Sequence, residues 1–453
     1  MKEIASYNAR AHVVKIAIAL VLFFSSMIAI AQSTMPMTLE TVLALGGARN
    51  LTIAQYKERQ ELAVAHVYQA KAWWLPEFYG GMQTHQLWGA VMNGNGRFFL
   101  DINRNNQWMG LGLNAHWDFA EGIYSTRAAH LEAQASRYLS EAERNKILLQ
   151  AIDAYYDLLI AQFQWEAYQN LTLQTDTLVK QLTLQVEVGL RYPSEELLAK
   201  GSKSHFQVEA LNARKQHRKA SSELLNLLNL DQAQTLVGID SLLFPLDFGE
   251  EKLPDKDTLY RNRPEIKVSE LQLRALEIRK KNFTTGLLIP ELNLGTYGSY
   301  FGKVSGTVVP MDPVAFPSPD RLNRTGELNA SLMWRIPLSA FVYNGDIRRY
   351  NSQIRLKRIE AEQIRSTINK EIAWALARLA IGKEQVLVAT EALSLTREAL
   401  DQSMGRQLLG TATPFEVFQA QQFYLQAQLD YLRSVAEYNK AQFALKVARG
   451  EQL

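Results

Sequence analysis

The sequence predicts an α+β membrane protein that is internally duplicated. Three observations carry this. "GLRYPSEELLAK" at Gly189 and "GTATPFEVFQAQ" at Gly410 both read Gly, three residues, Pro, one residue, Glu, and the glycines stand 221 positions apart. Glycine and proline are both absent from Ile123 to Val188, a stretch that as one helix would span on the order of 100 Å. Four shorter segments alternate between apolar residues and polar or small ones, as strands with two unlike faces do.

The N-terminus is different in kind. Lys2, Arg10 and Lys15 precede an apolar run from Ile16 to Ile30, and Ala29-Ile30-Ala31 closes it. This predicts a secretory signal peptide over 1–31, cut before Gln32; a membrane anchor would need a longer apolar core. The 453-residue chain contains no cysteine, which excludes a disulfide framework and a lipid-modified cysteine, so the protein is not expected to be a lipoprotein. Net charge is +3, and the first fifteen residues supply most of it. No basic tract for nucleic acid remains.

Each half of the mature chain repeats the same order. "WWLPEFYGG" around Pro76 pairs with "LLIPELNLG" around Pro290, and "WDFAEGIYSTR" from Trp117 with "WRIPLSAFVYNGDIRR" from Trp334. "RKASSELLNLL" from Arg218 aligns with "NKAQFALKVAR" from Asn439 at the same 221-residue offset. The first repeat is placed at 32–230, with strands about 76–86 and 107–120 and long helices about 123–189 and 193–230. A linker follows at 231–262. The second repeat covers 263–453, with strands about 290–301 and 326–338 and helices about 346–409 and 414–449.

Apolar positions three and four apart mark the helical cores: Ile147, Leu148, Ile152, Tyr155, Tyr156, Leu159 and Phe163 make one stripe, and Leu425, Leu429, Leu432, Ala436 and Phe443 another. Helices this long need partners along their length. Trp165 and Trp374 lie within helices and read as core. In "WMGLGLNAHWDF", Met109, Leu111, Leu113, Ala115, Trp117 and Phe119 share a face against Gly110, Gly112, Asn114, His116 and Asp118. A sandwich domain and a lipid-facing barrel would both alternate so; the strand count separates them. Four strands cannot close a membrane barrel, and an open sheet edge is not viable in lipid. Chains must pool strands, and three would make a twelve-strand transmembrane barrel continued by a helical tube. The polar stretches 86–107 and 302–325 read as external loops, and Trp108, Trp117 and Trp334 as interfacial aromatics.

The two turns have a local explanation. Gly189 and Gly410 supply the left-handed residue that ends a helix, and Pro193 and Pro414 start the next. Thr413 with Glu416 three residues on spells a capping box, whereas Tyr192 holds the equivalent place in the first turn. The seven histidines are scattered, with no zinc spacing, and no nucleophile triad or phosphate loop is present. No catalytic residue, metal site or cofactor is expected.

Taken in order, these pieces resemble the TolC-type outer-membrane efflux proteins over nearly the whole mature chain. The matching pieces include "MTLETVLALGGARN", the Pro76 and Pro290 strand entries, "WRIPL" followed by "NGD", the two turns and "YNKAQFALKVARG". The resemblance implies a homotrimeric duct in the outer membrane of a Gram-negative bacterium, reaching through the periplasm. It would contact outer-membrane lipid, a periplasmic adaptor and an inner-membrane pump of RND or ABC type, as an exit duct for efflux or type I secretion. A periplasmic coiled-coil adaptor or scaffold without a pore is the competing possibility. By the same resemblance Glu195, Glu416 and Gln419 line the pore entrance; the two glutamates would otherwise only favour helix N-termini. The family position held by Gln419 is often acidic and that of Ala412 sometimes arginine, so gate bonds known in the family are not expected here. Val188, Gly189, Leu190, Leu409, Gly410 and Thr411 match its adaptor-contacting tip, ordinary helix termination being the plainer reading.

Overall fold

The computed structural model describes residues 34–92, 96, 98–240, 244–246, 256–307, 323–338 and 342–453. The expected signal peptide and most of the stretch 308–325 lie outside the described residues. The chain divides into two compact units, one from residues up to 54, 143–262 and 368–453, the other from 55–142 and 263–367.

The first unit contains a parallel pair of short strands, β1 (Thr34–Met37) and β4 (Thr235–Gly238), with helix α1 (Leu39–Arg49) following β1. Around them pack the described parts of four long helices: α3 (Phe119–Glu187), α4 (Pro193–Leu227), α7 (Gly345–Leu408) and α8 (Pro414–Ala448). The α3 stripe meets its partners here. Ile152, Tyr155 and Leu159 pack with Leu224 and Leu225 of α4 and its C-cap Leu228, and with Leu432 and Ala436 of α8, around Met37 and Leu236 of the strands. Each large side chain so buried stabilises the unit by roughly 1.5–3 kcal/mol. A second cluster joins Leu171, Leu178 and Leu182 of α3 to Phe206 of α4 and to Val417, Phe418 and Leu425 of α8. Tyr155 is tied down at its polar end, its hydroxyl 2.8 Å from Asp240 and 3.0 Å from the Met37 carbonyl. Burial and the neighbouring carboxylate push its ionisation well above the ordinary range.

Gly382 and Gly405 do not break α7. At Gly382 the reason is packing: a Cβ there would stand 3.4 Å from the Tyr438 ring. Trp374 corrects a sequence expectation. It is 64 % exposed rather than core among the described residues.

The second unit is built on a four-stranded antiparallel sheet ordered β2-β3-β5-β6, from β2 (Glu77–Met92), β3 (Phe98–Asp118), β5 (Glu291–Thr307) and β6 (Asn323–Met333). Helices α2 (Leu51–Lys71) and α6 (Pro264–Asn282) feed the two hairpins through short 3₁₀ turns; α5 (Lys256–Asn262) precedes α6. The β3–β5 ladder joins the two hairpins. The α3 helix starts at Phe119 and so includes Gly122, where any side chain would overlap the Trp73 ring; Trp73 also packs edge-on against Phe119.

Two strand expectations need correction. Much of the 86–107 stretch is strand, since β2 runs to Met92 and β3 starts at Phe98. Backbone pairing continues there although the apolar alternation has lapsed. In contrast, β6 stops at Met333, which pairs with Glu291. Beyond it β5 has no residue to offer, and Pro337 has no N–H to donate. Trp334 therefore lies past the strand, exposed. Trp108 does not share a face with Trp117. It lies with Gly110 and Gly112 and meets the Tyr297 ring at 6.2 Å, whereas Trp117 lies with Leu113 and Ala115 and donates to the Trp74 carbonyl at 2.7 Å. The two positions are nine apart, an odd offset that sets them on opposite faces of the strand.

The sheet is inverted relative to a water-soluble one. Its apolar face, with Phe78, Met82, Leu111, Leu113, Leu328 and Leu332, is the exposed one; Leu328 is 74 % and Leu111 58 % exposed. On the other face Ser299 is buried and Tyr297 half-buried.

Candidate functional site at the two helix turns

The turns at Gly189 and Gly410 are built alike. Both glycines have φ of +76°, a conformation that costs a side-chain-bearing residue about 1 kcal/mol. In the first, the Gly189 amide donates to Val186 at 3.0 Å and the Leu190 amide to Gln185 at 2.8 Å; in the second, Gly410 donates to Gln407 at 3.0 Å and Thr411 to Arg406 at 2.9 Å. This paired 5→2 and 6→1 arrangement satisfies carbonyls that the ending helix leaves open. Pro193 and Pro414 then occupy the first position of α4 and α8, where a missing N–H costs nothing.

The starts of the next helices differ. Thr413 caps α8 through a complete capping box with Glu416. Tyr192 makes no side-chain cap on α4.

Three acidic residues at the turns have basic partners. Glu195 meets Arg191 at 3.2 Å, Glu196 meets Lys200 at 2.6 Å, and Glu416 meets Arg406 at 3.5 Å. Lys200 beside Glu196, with the Thr183 hydroxyl, holds that carboxyl below its usual range. Gln419 is exposed, one turn of α8 beyond Glu416. Arg191 was not among the residues singled out from sequence. Its guanidinium reaches the Ala412 carbonyl at 3.1 Å and so joins the first turn to the second. The signal available for it was its place two residues after Gly189, matching the place Ala412 holds after Gly410.

Around these polar contacts the surface is apolar. Val188, Leu190, Tyr192, Leu197, Leu408 and Leu409 are all exposed, Leu190 at 74 % and Leu409 at 81 %. Gly189, Gly410 and Thr411 are exposed beside them. Among the described residues no group of three potential ligands that could hold a metal ion is found. No helix among them is long and apolar enough to cross a membrane.

No protein-family model matches the chain, and no curated protein sequence does. Solved structures match closely in fold. The CmeC outer membrane channel of Campylobacter jejuni is 18 % identical and covers 91 % of this chain and 85 % of its own, with a TM-score of 0.74. The outer membrane protein VceC of Vibrio cholerae is 16 % identical, covers 91 % and 96 %, and has a TM-score of 0.71. The MtrE outer membrane channel of Neisseria gonorrhoeae, in its open state, is 15 % identical over 91 % and 89 %, with a TM-score of 0.70. The chain has the fold of these outer-membrane channels.

Proposed function

We propose that this protein is the outer-membrane exit duct of a tripartite efflux or type I secretion system. The exposed apolar face of the β2-β3-β5-β6 sheet carries the reading. Water-soluble proteins do not leave such a face open, and lipid is the solvent that suits it. A periplasmic adaptor without a pore has no use for this surface.

The sheet has two unpaired edges, β2 and β6, which a bilayer does not tolerate. Three copies would close them into a twelve-strand barrel, with the opposite, polar face lining the lumen. The helices are consistent with association of copies: Trp374, Ile381, Val388 and Leu395 recur every seven residues on α7 and are all exposed. That is a coiled-coil seam lacking its partner in this chain. In this reading the repeats 32–230 and 263–453 flank an equatorial segment at 231–262, and a signal peptide over 1–31 directs export. The Gly189 and Gly410 turns form the periplasmic entrance, with Glu195, Glu416 and Gln419 facing the path. Leu190 and Leu409 belong to the apolar surface that meets the adaptor, which links the duct to an RND- or ABC-type pump.

The chain lacks cysteine, so single cysteines report cleanly. In membranes, Leu111→Cys and Leu328→Cys should resist a water-soluble maleimide and react with a lipid-soluble one, and Asn114→Cys, exposed on the opposite face, should do the reverse. Equal aqueous labelling of both faces would sink the membrane reading. For the partner, photo-crosslinkers at Leu190 and Leu409 should capture an adaptor in cells; capture of nothing but further copies of this chain would contradict the tip assignment.

A further inference from the structure

On the polar face of the sheet, Tyr79, Gly112, Tyr297 and Glu327 form one row across all four strands. The adjoining row is Gly81, Gly110, Ser299 and Thr325, and Gln83 beside Trp108 begins the next. The small residues let the large ones lean over them. A Cβ on Gly112 would stand within the Tyr79 ring, and one on Gly110 would overlap Ser299. Tyr79 and Tyr297 thus flank a floor of glycine backbone, and Trp108 closes a third side edge-on to Tyr297 at 72°. The cleft they bound, with Gln83 and His85, has a volume of about 610 Å³.

Two features point to what fills it. The Tyr297 hydroxyl is hydrogen-bonded to the Glu327 carboxylate. Glu77 lies one row away on the same face, and among the described side chains of these rows there is no lysine or arginine. The second feature is Ser299, which is 6 % exposed in the floor row with its Oγ lacking any hydrogen-bond partner among the described residues. Aromatic faces carry negative potential and attract cations, most strongly tryptophan. Three aromatic rings close to the Glu327 carboxylate favour a positive charge on an apolar body. The orphaned Ser299 hydroxyl lies in the adjoining row, next to Gly110.

We infer that this aromatic cup is a binding site for organic cations, amines and quaternary ammonium groups bearing an apolar or aromatic body. The inference rests on the reading that this face lines the lumen. Each protomer would contribute one cup, so a trimer places three at one level of the barrel. They retain a cationic cargo for a moment on its way out and bias passage toward such molecules.

The probe is benzyltrimethylammonium, with benzyl alcohol as its neutral counterpart, applied to the full mature protein in planar bilayers. Wild type should be blocked by the cation at concentrations where the alcohol has no effect. Trp108→Ala should raise the half-blocking concentration about tenfold, Glu327→Gln should raise it less, and Trp108→Phe should retain most of the block. Equal block of wild type and Trp108→Ala, or equal block by the alcohol, overturns the site. Calorimetric titration of the detergent-solubilised protein with the same cation separates the two readings. Saturable heat in wild type that is lost in Trp108→Ala supports the cup even where no conductance is seen, in which case the channel reading alone has failed. Conductance with no saturable heat overturns the cup and leaves the channel reading standing.

Discussion

Arg191 in the first turn donates to the carbonyl of Ala412 in the second at 3.1 Å, across 221 residues of sequence, while its other terminal nitrogen holds Glu195 at 3.2 Å. One side chain therefore couples the corresponding turns of the two repeats and masks an acidic group beside them.

Removing it should separate these effects. Arg191→Ala leaves the Ala412 carbonyl without its charged donor, a loss of about 1–2 kcal/mol, and amide exchange at Leu190 and Thr411 should quicken. It also unmasks Glu195, so the potassium-to-chloride permeability ratio should rise, whereas Glu195→Gln should lower it. Ratios unchanged in both variants would mean that Glu195 does not face the conducting path.

The unequal caps make a second prediction. Thr413→Ala breaks the capping box and should cost about 1 kcal/mol of local stability. Tyr192→Asp supplies the cap that the first turn lacks, and Tyr192 is too exposed for its ring to be missed. Exchange protection of the first turn of α4 should increase by a comparable amount. Equal protection before and after would show that the turn is held by other contacts.

His217 sets a pH dependence. It is buried against Trp165, the rings stacked 5.5 Å apart, and burial lowers its pKa below the ordinary value. The unfolded chain therefore binds this proton more readily than the folded one. Stability from this group is complete above about pH 6.5, the unfolded value, and falls as pH drops toward the folded value. Amide exchange across Ala213–Ser221 should accelerate in that window for wild type and stay flat for His217→Phe. The same acceleration in both would assign the effect to another group.

A fourth prediction concerns assembly. Trp374→Glu places a charge in the exposed heptad seam of α7, so the detergent-solubilised assembly should dissociate at a protein concentration where wild type stays intact. An unchanged mass in native mass spectrometry would free this seam from any role between chains.

The sequence disclosed most where physics acts locally. Gly189, Gly410, Pro193, Pro414 and the Thr413–Glu416 pair spell turn and cap chemistry within seven residues, and the structure contains that geometry. The stripe Ile152, Tyr155, Leu159 was equally legible, because one face of a helix is buried at a fixed period. What escaped needed partners distant in sequence. Arg191 matters through a carbonyl 221 residues away, which no local pattern announces. Trp374 was read as core because it is a large apolar residue within a long helix, and its exposure depends on contacts that a helical position does not specify. The extension of β2 and β3 past residue 86 was hidden because ladder hydrogen bonds make no demand on side chains.

The central claim is that this chain forms a pore through its strands. Its most direct test is single-channel recording of the purified mature protein in a planar bilayer. A detergent-solubilised trimer should give discrete, stable conductance steps. A protein that stays monomeric and soluble without detergent, and leaves the bilayer silent, would contradict it.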